Sequence, residues 1–154
     1  MSRLPVAIAT VGGVGYSPVA PGTAGSAAGV FTYYILMLTG GAPAVAAALI
    51  VVCVAGVWSA TAAERHFKSD DPGPVVIDEV AGMLATLAFM PLGWSGVAIG
   101  FLLFRLFDVV KPWPASCFER LPGGWGVMGD DVMAGIYANL VLRAIRWRAP
   151  DWTS

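Results

Sequence analysis

Charge is what this sequence has least of. No Asp, Glu, Lys, Arg or His occurs from residue 4 through residue 63, and none from residue 80 through residue 104. Of its 154 residues 12% are charged and 57% hydrophobic, with a mean hydropathy of +0.73. Soluble domains carry about 25% charged residues, so uncharged runs of this length belong in a bilayer. A net charge of −1 gives no reason to expect nucleic acid. The two cysteines, Cys53 in an apolar stretch and Cys117 in a polar one, form no CxxC pair and point to packing roles. The N-terminus bears one Arg, and its apolar run is broken by Gly12, Gly13, Gly15, Pro18 and Pro21, which argues against a cleavable signal.

Length alone suggests a single domain, residues 1–154. Its pattern predicts an all-α fold, a compact polytopic membrane helix bundle with a broken or re-entrant N-terminal segment and about 4–5 membrane helices. Residues 4–15 form a short apolar half-helix. Residues 16–26, YSPVAPGTAGS, are expected to be irregular and to line a cavity at the start of a helix over 24–38. The loop's small residues and the N–H groups at a helix start suit a phosphate, although Pro18, Pro21 and Gly22 could equally just shape a turn. An uncharged turn at 39–43 precedes the clearest span, 43–63, rich in the small residues that favour close helix packing. A charged loop, 64–71, and a Pro-rich link lead to a helix with Asp78 as N-cap. The stretch 80–110 reads as two short spans, 80–90 and 94–110, joined at PLGW. A polar loop over 113–129 then precedes a last helix, 132–147, opened by Asp130 and Asp131.

The stretch GFLLFRLFDVVKPWP, residues 100–114, ends an apolar helix with Arg105, Asp108 and Lys111. Steps of i, i+3 hold all three on one face, and Pro112 and Pro114 stop the helix. Snorkelling accounts for the two cations as well as a site does, but a short carboxylate cannot reach far to water. Asp78, Glu79, Asp108, Asp130 and Asp131 each lie at the same end of an apolar helix. Five carboxylates gathered beside Arg105 and Lys111 call for a cation, and oxygen ligands without His or Cys indicate Mg²⁺ or Mn²⁺ rather than zinc. Separate solvated helix caps are the plainer alternative.

Exclusion narrows the chemistry. His66 is the only histidine, so a His nucleophile with a second His as acid is ruled out. Cys117 and Arg120 stand as CxxR, without the spacing of a cysteine phosphatase, and no DxDx(T/V) nucleophile motif occurs. Loops 64–78 and 105–131 hold Arg65, Lys68, Arg105, Lys111 and Arg120, with Arg3 and the 16–26 loop expected on the same face. The positive-inside rule makes that face cytoplasmic.

Four stretches, SPVAPGTAGS (17–26), DPGPVVIDEVAG (71–82), GFLLFRLFDVVKPWP (100–114) and GGWGVMGDDVMAG (123–135), resemble the phosphatidylglycerophosphatase A family of bacterial lipid phosphatases. The resemblance implies an all-helical, Mg²⁺-dependent enzyme of the bacterial inner membrane that converts phosphatidylglycerophosphate to phosphatidylglycerol and phosphate. On this reading Asp78, Glu79, Asp108, Asp130 and Asp131 hold the metal, with Asp78, Glu79, Asp108 and Asp131 catalytic. Arg105, Lys111, Thr23 and Ser26 bind the phosphate. Attack by water, helped by a carboxylate base, and attack by an Asp both remain open. The expected partners are the phospholipid substrate and membrane lipids, with no nucleic acid. A membrane transporter or ion-binding module, or a CDP-alcohol phosphotransferase, are the alternatives; the DGxxAR…GxxxDxxxD pattern of the latter is absent.

Overall fold

The computed structural model describes residues 3–154, and no strand occurs among them. Six helices follow in order: α1 Arg3–Ala9, α2 Pro21–Phe67, α3 Ile77–Leu87, α4 Trp94–Val110, α5 Ala115–Phe118 and α6 Gly124–Arg148. Short 3₁₀ turns occupy Val14–Tyr16 and Pro150–Trp152.

α2 is two helices run together. At Gly41 the backbone takes φ 64°, ψ −155°, a conformation that is cheap only for glycine. The turn expected over 39–43 is thus a break at one residue. α3 is the axis of the bundle, with all of its residues except Glu79 buried, wrapped by α2, α4 and α6. At 11 residues and 1.5 Å per residue it is about 16 Å long, too short to cross a bilayer alone.

The outside of the bundle is apolar. Phe31, Ile35 and Leu38 on the first half of α2, Ile50, Val51 and Val54 on the second, Leu102, Leu106 and Val109 on α4, and Ile136 and Leu140 on α6 are all exposed. Among the described residues α2 is the one helix both long and apolar enough to cross a membrane, and almost none of its apolar window is buried. A core helix of a soluble protein would bury that surface.

Small residues set the close approaches. A methyl group on Gly25 would stand 2.7 Å from Val76 Cβ and 3.0 Å from its carbonyl, and one on Gly29 2.6 Å from Met83 Cβ. Gly82 and Gly135 similarly let α3 and α6 meet backbone to backbone. At the far end Asn139 Nδ2 donates to the carbonyls of Ala85, Thr86 and Ala88 at 3.1, 2.8 and 3.1 Å. Arg146 donates to Pro91, and Arg143 reaches Ala88 and Phe89. Asn139 thereby satisfies orphan carbonyls in the last turn of α3, and the two arginines bind carbonyls of the link that follows it.

Several expectations are corrected. Asp78 is not an N-cap: Val76 occupies that place, its N–H bound to Ala9 O at 2.9 Å, because the 71–76 link is tied to α1. Asp130 and Asp131 do not open the last helix but lie two turns inside α6, which starts at Gly124. The polar loop over 113–129 is accordingly shorter, holding α5 and the first turns of α6. Gly123 at φ 62°, followed by Gly124 packed against Val57, lets that helix begin early. The irregular loop ends at Ala20, so Thr23 and Ser26 already belong to α2.

Candidate active site

A pocket of about 300 Å³ opens at one end of the bundle, where α2 and α6 begin and α4 ends. Its walls carry Asp78 and Glu79 from the first turn of α3, Arg105, Asp108 and Lys111 from α4 and its C-cap, and Asp130 and Asp131 from α6. The separated carboxylates of the sequence thus meet in one place. They meet because α3 is central: its N-terminal turn, favourable for acidic groups, points toward the start of α2 and the second turn of α6.

The five carboxylates divide into two sets. Asp78, Glu79 and Asp131 present oxygens that lie within 4.8 Å of one another. One oxygen of each, Asp78 Oδ1, Glu79 Oε2 and Asp131 Oδ2, is buried without any hydrogen-bond partner. Asp108 and Asp130 are instead paired with cations. Arg105 Nη1 donates to Asp108 Oδ2 at 2.6 Å. Lys111 Nζ donates to Asp130 Oδ2 and, at 2.7 Å, to Glu119 Oε1. The second oxygen of Asp130 accepts the Asp131 N–H at 3.0 Å.

Burial pushes the carboxyls of Asp78 and Asp131 well above the usual range, and the neighbouring carboxylates add to it: Glu79 and Asp131 act on Asp78, Asp108 and Glu79 on Asp131. Glu79 is raised by burial and lowered in part by Asp78 and Arg105. Asp130 is raised by burial, opposed by Lys111. Burial would lower the Lys111 ammonium, but Asp130 and Glu119 together hold it above its ordinary value.

Three carboxylates that each keep a buried, unpaired oxygen must either take protons or receive a cation. Opposite oxygen ligands stand ~4.2 Å apart on Mg²⁺ and ~4.8 Å apart on Ca²⁺, so this cluster is of the right size for one hard divalent ion. The donor set fits such an ion, and the three orphaned oxygens are what it would satisfy.

The remaining expected residues fall less centrally. Ser26 is fully buried, its hydroxyl donating to Gly22 O at 2.8 Å, and neither it nor Thr23 lines the pocket. The small residues around them serve the packing of α2 on α3. Asp71 and Gly22 do line it; sequence reasoning gave Asp71 no role and Gly22 only that of shaping a turn. Asp71 lies in the DPGP stretch, one of the four quoted motifs, and that was the available signal. Glu119, on an exposed turn, has none.

A family model described as phosphatidylglycerophosphatase A matches residues 7–146. Two curated relatives called phosphatidylglycerophosphatase A are each 36% identical. The Escherichia coli protein aligns over 84% of this chain and 76% of its own, the Haemophilus influenzae protein over 93% and 90%. A Bacteroides thetaiotaomicron protein bearing the provisional name phosphatidylinositol-3-phosphatase is 40% identical over 95% of this chain and 96% of its own. No solved structure matches the chain.

Proposed function

The chain belongs to the phosphatidylglycerophosphatase A family, and from that membership we propose how its pocket works. The enzyme removes the terminal phosphate of phosphatidylglycerophosphate, giving phosphatidylglycerol and inorganic phosphate. Water adds to phosphorus, the bond to the glycerol oxygen breaks, and that oxygen leaves with a proton.

The observation that carries the mechanism is the trio of orphaned carboxylate oxygens on Asp78, Glu79 and Asp131, beside two cations. In this reading the trio holds Mg²⁺, with Asp108 and Asp130 close behind. When bound, the ion supplies charge neutralisation for the phosphoryl oxygens and polarises the attacking water. Arg105 has five N–H donors and spends one on Asp108; Lys111 has three and spends two. Each therefore keeps a donor for a phosphate oxygen without breaking its ion pair. Asp108, held by Arg105 next to Asp131, is the carboxylate best placed to take the proton of the attacking group. Thr23 and Ser26 act through the shape of the α2 start rather than by contact.

The exposed apolar belts support a multi-pass position in the bacterial inner membrane, where acyl chains stay in lipid and the phosphate reaches the rim. Six of the nine Lys and Arg (Arg3, Arg65, Lys68, Arg105, Lys111 and Arg120) sit at the pocket end, which supports a cytoplasmic face.

The test is phosphate release by purified protein in detergent micelles. Phosphatidylglycerophosphate should be hydrolysed, with activity lost in chelator and restored by Mg²⁺. Phosphatidylinositol 3-phosphate, suggested by the name of the Bacteroides relative, is the second substrate to assay. Preference for it would move the assignment to that lipid, and full turnover in chelator would remove the metal.

A further inference from the structure

Beside the pocket, on the apolar outside of the bundle, a groove of about 430 Å³ runs between α2 and α4. Ala27 and Val30 form one wall and Ala98, Phe101 and Leu102 the other. The two helices are antiparallel here: α2 runs away from the pocket from Pro21, and α4 runs toward it to Val110. Leu102 is one turn from Arg105, and Ala27 lies five residues beyond Gly22, both of which line the pocket. At the distant end Trp94 stacks on Tyr34 with ring centroids 4.6 Å apart. The trough therefore ends one helical turn short of Arg105 at one side and at an aromatic pair at the other. From Leu102 to Trp94 its length is about 12 Å along α4.

We propose that this groove seats one acyl chain of the phospholipid substrate, and that Ala27 and Ala98, the two smallest residues of its walls, keep it open. The proposal rests on the lipid phosphatase reading and deepens it. Any membrane lipid can touch an apolar face, but only a lipid carrying a phosphomonoester can fill the groove and the pocket together. Lipid tails are as apolar as the groove walls, so the chain gains little free energy on moving in from the bilayer. The contribution is orientation: a chain held along α4 fixes where its headgroup meets Arg105 and Lys111, and small misplacements of a reacting group are costly.

Ala98→Leu and Ala27→Leu fill the groove without touching the pocket, and Ile50→Phe adds bulk to an exposed apolar face elsewhere on α2. The measurement is kcat/KM on a long-chain phosphatidylglycerophosphate and on its soluble dibutanoyl analogue. Both filling variants should lower the long-to-short ratio about tenfold, with Ile50→Phe unchanged. A merely damaged fold lowers both substrates together and leaves the ratio alone. An unchanged ratio in a filling variant that keeps its short-chain turnover, or an equal fall in Ile50→Phe, overturns the groove while leaving the phosphatase reading intact; if both filling variants lose turnover on both lipids, lipid cross-linking decides. Should the wild-type chain release no phosphate from either lipid, that reading fails, and the groove is read directly. A phosphatidylglycerophosphate with a diazirine in its chain, diluted in unlabelled lipid, should then cross-link to 94–102 in preference to 50–58. Even labelling of both stretches overturns the proposal.

Discussion

Gly22 on α2 and Glu79 on α3 share one space: a methyl group on Gly22 would stand 2.5 Å from Glu79 Oε1 and 3.1 Å from Arg105 Nη1. The glycine is thus the gap through which the start of α2 reaches the acidic cluster. Three residues on, Gly25 does a different job, since its added methyl meets Val76 backbone.

Gly22→Ala and Gly25→Ala should therefore fail in opposite ways. The first displaces the far ends of two long side chains, so stability is kept or slightly raised by the better helix former, while turnover falls tenfold or more, on the order expected for misplaced catalytic groups. The second overpacks a helix contact and should cost about 1–3 kcal/mol of stability. Thermal unfolding and turnover on the same samples separate them; a Gly22→Ala enzyme of full activity would refute the positioning of Glu79.

Asp131→Asn removes one charge from the trio. Mg²⁺ at a hundred times its Kd should stabilise the wild-type protein by about 2.7 kcal/mol, and most of that shift should vanish in the variant along with activity. A variant that keeps both the shift and the turnover places the ion elsewhere.

Without metal, the raised carboxyls of Asp78, Glu79 and Asp131 set a pH dependence with a definite sign. The folded state holds protons that the unfolded state has released, so their contribution is complete below the ordinary carboxylate range of about 4 and is lost as pH rises through the raised values. In chelator the protein should lose stability from weakly acidic toward neutral pH, and Mg²⁺ should flatten the curve. Stability rising with pH in chelator would contradict the unpaired trio.

Lys111→Met leaves Asp130, 5% exposed, without its cation. Stability should drop by on the order of 1–3 kcal/mol. Adding Asp130→Asn should restore much of it but none of the activity, because the cation proposed to meet the phosphate is still missing. A double variant that regains turnover would make the lysine structural only.

A Cys53→Ala, Cys117→Ser, His66→Ala protein should keep most of its turnover. Cys53 packs partly buried in α2 and Cys117 is exposed outside the pocket, while His66 lines a separate hollow near Arg3. Phosphate trapped covalently on either Cys117 or His66 would replace the proposed mechanism.

Much of this protein is legible in its residues one after another. Uncharged runs dictate helices with apolar exteriors, because backbone polar groups in lipid must pair within their own segment. Trp94–Val110 was readable to the residue, since Gly93 and Pro112 punctuate a run that is uncharged as far as Arg105. The acidic residues were identifiable as a set because carboxylates are so costly among such neighbours. Helix starts were less readable: the glycines before Asp130 look like a loop, yet Gly124 and Gly126 lie in α6, pressed on Val57 and Leu121.

The division of labour among the five carboxylates belongs to the tertiary structure alone. Which of them keeps an orphaned oxygen and which finds a cation depends on side chains brought from α3, α4 and α6, far apart in the chain. Spacing along one helix could pair Arg105 with Asp108, as i, i+3 neighbours do. It could not pair Lys111 with Asp130, because that contact exists only once α6 has packed beside the end of α4.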